Sequence, residues 1–182
     1  MDACNWDWGA IAGFTGAVAT LSTGAVALYI YNRWRVQKSA EVIANEAKLI
    51  INELSKSLKL SEDVFYFFMG SDLNPYELDK SKLYNLITNN IKYQLDTICY
   101  LIYINNKGKK DDNLYEAIEA HNQSYYIFNG KLNYANENKE KISNDEINKQ
   151  IIKAFSDYRD CNLKLKTYLA NYALYRKYDK SI

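Results

Sequence analysis

The chain has 182 residues, with 23 Lys+Arg against 22 Asp+Glu, three cysteines and one histidine, and its mean hydropathy is −0.42. That size leaves room for one apolar span and one soluble domain, and cysteines this few and scattered exclude a disulfide framework or a CxxC metal site. Setting aside Arg33, Arg35, Lys38, Asp2 and Asp7 leaves as many acids as bases beyond Ser39, so there is no basic excess to neutralise phosphates and no nucleic-acid partner is expected.

The first nine residues form a short tail, expected on the outer side of a membrane. Its sequence MDACNWDWG carries two aspartates and no Lys or Arg, unlike the positive start of a cleavable signal peptide. The small-residue patterns Ala17-Val18-Ala19 and Ala25-Val26-Ala27 lie inside the following apolar run, which is read as a retained anchor. Cys4 is expected as a free thiol.

Residues 10–31 read AIAGFTGAVATLSTGAVALYIY without a charge. About 22 residues at a rise of about 1.5 Å give a helix of about 33 Å, enough to cross a hydrocarbon core of about 30 Å. The predicted element is a transmembrane helix, and the lipid bilayer is the first expected partner. Trp6 and Trp8 on one side, and Tyr29, Tyr31 and Trp34 on the other, mark two interfaces. Arg33, Arg35 and Lys38 follow the run, and the positive-inside rule keeps that side cytoplasmic. Abundant Asn, Lys, Ile and Tyr, all with A/T-rich codons, fit a bacterial or phage source, so the expected location is a bacterial inner membrane.

Within the span, Gly9, Gly13, Gly16, Thr20, Thr23 and Ala27 recur at spacings of three and four. They form a stripe of small residues, which permits close approach of a second helix, from another copy or another protein. Residues 32–60 are predicted to continue the helix as a juxtamembrane rod. Val36, Ala40, Ile43, Ala47, Ile50 and Leu54 give it a heptad seam, with Glu46 and Glu53 beside the seam to meet lysines on a neighbour.

Residues 61–182 are predicted to form a cytoplasmic antiparallel bundle, making the fold all-α with about four helices. Ser61, followed by Glu62 and Asp63, resembles a helix start, with Val64 to Met69 a short buried piece. Asn74-Pro75 resembles the next start. The stripe Leu83, Ile87, Ile91, Leu95, Ile98 and Ile102 then runs to a turn at Asn105–Gly108. A third helix from about Asp112 carries Leu114, Ile118, His121, Tyr125, Phe128 and Leu132 on one face. Ser143 to Glu146 opens the last helix, whose face carries Ile147, Ile151, Ala154, Tyr158, Cys161, Leu165, Tyr168, Tyr172 and Tyr175.

No phosphate-binding glycine loop, no HExxH and no Glu-x-x-His spacing occurs. No catalytic residue, metal ligand or cofactor is therefore assigned. His121, on an apolar stripe, reads as a core imidazole, and Cys99 and Cys161 read as core thiols. Tyr168, Tyr172, Tyr175 and Tyr178, with Arg176, make an aromatic and basic surface expected to serve as a docking face. The expected function is a membrane-anchored interaction or scaffold module that self-associates and is not an enzyme. The alternative is a membrane effector of a phage or defence system, whose clustered anchors perturb the bilayer.

Overall fold

A computed structural model describes residues 7–69, 80–137 and 144–174. Among them there is no strand, and the chain forms an all-α bundle together with one long apolar N-terminal helix. The elements are α1 (Trp8–Phe68), α2 (Lys80–Asn85), a π-helical turn (Leu86–Ile91), α3 (Lys92–Asn105), α4 (Asp112–Glu137) and α5 (Asn144–Ala173). Contacts divide the chain into two compact units between Ala40 and Glu41.

Asp7 starts α1, its Oδ1 accepting from the Gly9 and Ala10 amides at 3.0 and 3.2 Å. This satisfies two of the four amides left unpaired at a helix N-terminus. In the first unit the helix is apolar enough over one 18-residue window (mean hydropathy 1.6) to cross a membrane, and none of that window is buried.

The second unit is built on the expected stripes. Ile43, Ala47, Ile50 and Leu54 of α1, all six stripe residues from Leu83 to Ile102, and Leu114, Tyr125, Phe128 and Leu132 of α4 enter one core. Ile147, Ile151, Ala154, Tyr158, Leu165 and Tyr172 of α5 complete it, whereas Cys161 is only half-buried. Residues 41–60 thus belong to the bundle itself. Phe65 stacks on Phe155 at 4.4 Å between ring centres, and Phe128 stacks on Tyr158 at 5.9 Å.

One expected helix start changes. Ser61 does not start a helix; it lies inside α1, buried, with its Oγ donating to the Ser57 carbonyl at 2.8 Å. The seam simply runs on through Ser57, Ser61 and Val64, all buried, and no Gly or Pro stops it. Glu53 pairs with Lys56 of its own turn, at 2.6 Å. The Asn74-Pro75 start and Ser143 lie outside the described residues.

The π-helical turn follows from the spacing of the stripe. Leu83, Ile87, Ile91 and Leu95 are each four apart, and on a helix of about 3.6 residues per turn such a series drifts by about 40° per step. Wider turns correct the drift, and the Lys92 amide reaches back to the Ile87 carbonyl in the i to i−5 pattern. All four side chains thereby stay buried.

At its C-terminal end α3 closes in a Schellman turn. The Gly108 amide donates to the Tyr103 carbonyl at 2.9 Å and the Lys107 amide to that of Ile104 at 3.2 Å. Lys107 (φ 53°) and Gly108 (φ 83°) take the left-handed conformation that this turn demands.

Candidate functional site

Three places carry polar or exposed chemistry: the uncharged part of α1, a polar centre in the bundle core, and the turn before α4.

In the uncharged part the threonine and serine hydroxyls are used locally. Thr15, Thr20, Ser22 and Thr23 donate to the carbonyls of Ile11, Gly16, Val18 and Ala19 at 2.8 to 2.9 Å. Such back-bonding satisfies the donors without water or a partner. What the small-residue stripe offers is therefore backbone surface: a Cβ added at Gly13 or Gly16 would meet no atom within 4 Å, whereas at Gly9 it would meet Asp7 Oδ1 at 3.1 Å. Thr20, Thr23 and Ala27 are exposed as well. Beyond the run, Arg33 approaches the Tyr29 hydroxyl at 3.4 Å, Trp34 lies 6.5 Å from Tyr31, and Arg35 and Lys38 follow on the same helix.

The polar centre joins α1 to α5. Ser57 Oγ lies 3.2 Å from the Tyr158 hydroxyl, and Asn162 Nδ2 donates to the Leu54 carbonyl at 3.2 Å while also facing Ser57 and Tyr158. Asn162 was not legible as a core residue from composition, although it stands one turn after Tyr158 on the buried face. His121 of α4 is fully buried, its ring 5.5 Å from that of Tyr158. Its Nδ1 meets Asn122 Oδ1 at 3.4 Å, and its Nε2 has no partner. Burial lowers the His121 pKa to about 4, only partly offset by Asn122; burial likewise raises that of Tyr158, against its bonds to Ser57, Ser61 and Asn162. The imidazole and the phenol are thus both neutral near pH 7, and burial pushes Cys99 up to about 11, keeping it a thiol. The arrangement holds α1, α4 and α5 together; it presents no activated nucleophile. Among the described residues no three His, Cys, Asp or Glu side chains are grouped as metal ligands.

At the turn before α4, Asp111 caps the helix, its Oδ1 accepting from the Leu114 amide at 3.3 Å. The same carboxylate accepts from the Tyr168 hydroxyl at 2.9 Å and from the Tyr172 hydroxyl. Two tyrosines expected on a docking face are therefore turned into the bundle, Tyr172 buried and Tyr168 half-buried. Tyr175, Arg176 and Tyr178 lie outside the described residues, as does Cys4. Large exposed aromatics stand instead on α3 and α4, where Tyr93, Tyr100 and Tyr126 are 74, 64 and 56% exposed. Their sequence signal was available, since each falls off the apolar stripe of its helix.

These features define an all-α protein whose bundle is preceded by one helix apolar enough to span a membrane. No protein-family model, curated protein or solved structure matches the chain.

Proposed function

We propose that the protein is a single-pass, membrane-anchored interaction module that associates with copies of itself through α1. The observation that carries this reading is the apolar surface between Trp8 and Tyr31, none of whose 18-residue apolar window is buried, which in water would be a large unfavourable patch and in lipid is at home. In this reading the N-terminal tail lies outside and the bundle in the cytoplasm of a bacterial cell, oriented by Arg33, Arg35 and Lys38. The accessible backbone at Gly13 and Gly16 supports close helix contact, because packing of small residues drives association where lipid removes the hydrophobic incentive. Bonding of the Thr and Ser hydroxyls within the helix leaves van der Waals packing as the source of affinity.

The test is crosslinking in intact membranes. The native chain should yield a discrete oligomer, and Gly13→Leu combined with Gly16→Leu should reduce it about fivefold to tenfold, the effect of losing about 1 kcal/mol or slightly more of helix packing. A native chain that stays monomeric at cellular concentration would remove self-association. Loss of membrane potential on expression would assign the clustered anchors to an effector that perturbs the bilayer.

A further inference from the structure

Within the second unit the helices run so that three features reach one end. Phe65 of α1 meets Phe155 of α5, and Leu54 meets Asn162; moving back along α1 therefore means moving forward along α5. The end of α5 thus lies toward Glu41, where the chain enters the unit, and Tyr168 and Tyr172 bind Asp111 there. The turn between α3 and α4 is accordingly at the entry end of the bundle.

That turn is basic. Lys107, Lys109 and Lys110 are all exposed, and Lys110 lies 5.3 Å from the centre of the Tyr115 ring. Asp111 is engaged by the two tyrosines but keeps its charge, and Asp112 is exposed, so the turn carries three positive charges against two negative ones, with the lysines outermost. Ile104 and Leu174, each 56% exposed, add apolar surface at the same end. Lys107 also occupies a left-handed position (φ 53°) that glycine fills at lower cost; the side chain there is not the one the backbone favours.

We infer that this lysine turn is a contact site for the anionic headgroups of the bilayer that holds α1, an inference that rests on the membrane-anchor reading. Nine residues lie between Tyr31 and Glu41, and even fully extended this stretch reaches only about 35 Å. So short a tether keeps the turn at an effective concentration in about the millimolar range relative to the headgroups. Weak, screened attraction then suffices, at about fivefold in equilibrium constant for each lysine near the surface. Exposed Ile104 and Leu174 suit the interface between headgroup and acyl chain. At the far end acids stand among bases, Glu62 and Asp63 of α1 and Asp145 and Glu146 of α5 together with Lys149 and Lys153.

The full chain is reconstituted in phosphatidylcholine vesicles and in vesicles with about one-third phosphatidylglycerol, then treated with a membrane-impermeant amine reagent and mapped by mass spectrometry. Labelling of Lys107, Lys109 and Lys110 is read against Lys149 and Lys153, exposed on α5 toward the far end. The expected result is that this ratio falls about threefold to fivefold in the anionic vesicles, and recovers in about 1 M salt, where charges are screened within about 3 Å. Equal ratios in the two vesicles, with the chain resistant to alkaline extraction from both, overturn the headgroup contact and leave the anchor standing. Extraction from both overturns the anchor and the contact with it. Protection in both compositions that is lost on dilution in lipid assigns the turn to a second copy and also overturns the proposal.

Discussion

His121 shows what a single buried base does to the whole fold. It contributes an unpartnered Nε2 to the core, and Tyr158, the titratable group facing it from α5, is held neutral by burial. With a folded pKa near 4 against 6.5 for the free side chain, the unfolded chain takes up a proton first as pH falls. Stability is therefore complete above pH 6.5, declines between 6.5 and 4, and falls no further through this group below 4. Denaturation of the full chain in detergent should lose about 2 kcal/mol between pH 7 and pH 5 through this linkage, reaching about 3 kcal/mol at pH 4. His121→Gln should lack that component, and parallel curves for native and variant would reject the assignment. The place of His121 in the core was legible because it falls on the stripe between Leu114 and Leu132. Its pairing with Asn122 was not, since neighbours along a helix face different directions.

The π-helical turn shows how an element corrects its own period. The stripe from Leu83 to Leu95 was readable as a helix face, but the spacing of four, repeated three times, already held the wider turn that a single ideal helix cannot provide. Deleting exposed Asn89 leaves spacings of four, three and four, which an α-helix of about 3.6 residues per turn keeps on one face, so the segment should become α-helix with Leu83, Ile87, Ile91 and Leu95 still buried. The cost, measured as a shift in urea midpoint, should stay under about 1 kcal/mol, whereas deleting exposed Asn90 as well should turn Leu83 and Ile87 about 100° from the core and cost about 3 kcal/mol or more, the value of two buried aliphatic side chains. A loss of about 3 kcal/mol on deleting Asn89 alone would show that the wider turn sets the register and does not merely absorb an extra residue. The end of α1 was misread for a related reason. Ser61 beside Glu62 and Asp63 has the composition of a cap, yet Ser57, Ser61 and Val64 continue the heptad from Leu54, and burial of that face outweighs a cap signal. Tyr168 and Tyr172 illustrate the converse: the period placed them inward, while their basic neighbours suggested a surface, and Asp111 on another element settles their hydroxyls.

At the scale of the molecule, the hydrophobic core cluster among the described residues falls between Ile43 and Ala173, with buried Ala40 just before it. The second unit therefore contains its own core, and a chain beginning at Glu41 should fold without the apolar segment. It should stay in solution, show a helical spectrum and unfold cooperatively in urea. A fragment that aggregates or lacks a transition would mean that residues before Glu41 are needed for folding. Sequence alone separated the apolar run from the bundle, because uncharged length and heptad spacing are local signals. Residues 32–60 read from sequence as a juxtamembrane rod, while Ile43, Ala47, Ile50 and Leu54 of that stretch enter the core, because burial in a shared core is not a local signal.

The joint itself, between Ala40 and Glu41, lies inside α1 rather than in a loop. Most domains are connected by extended segments, which proteases can grip and cut. Here the peptide bonds at the boundary are held in a hydrogen-bonded helix, so nicking there must wait for the turns around Ala40 to open. Release of the bundle from its apolar leader is consequently governed by helix unwinding at that point, and the two parts share a lifetime that an ordinary linker would not give them.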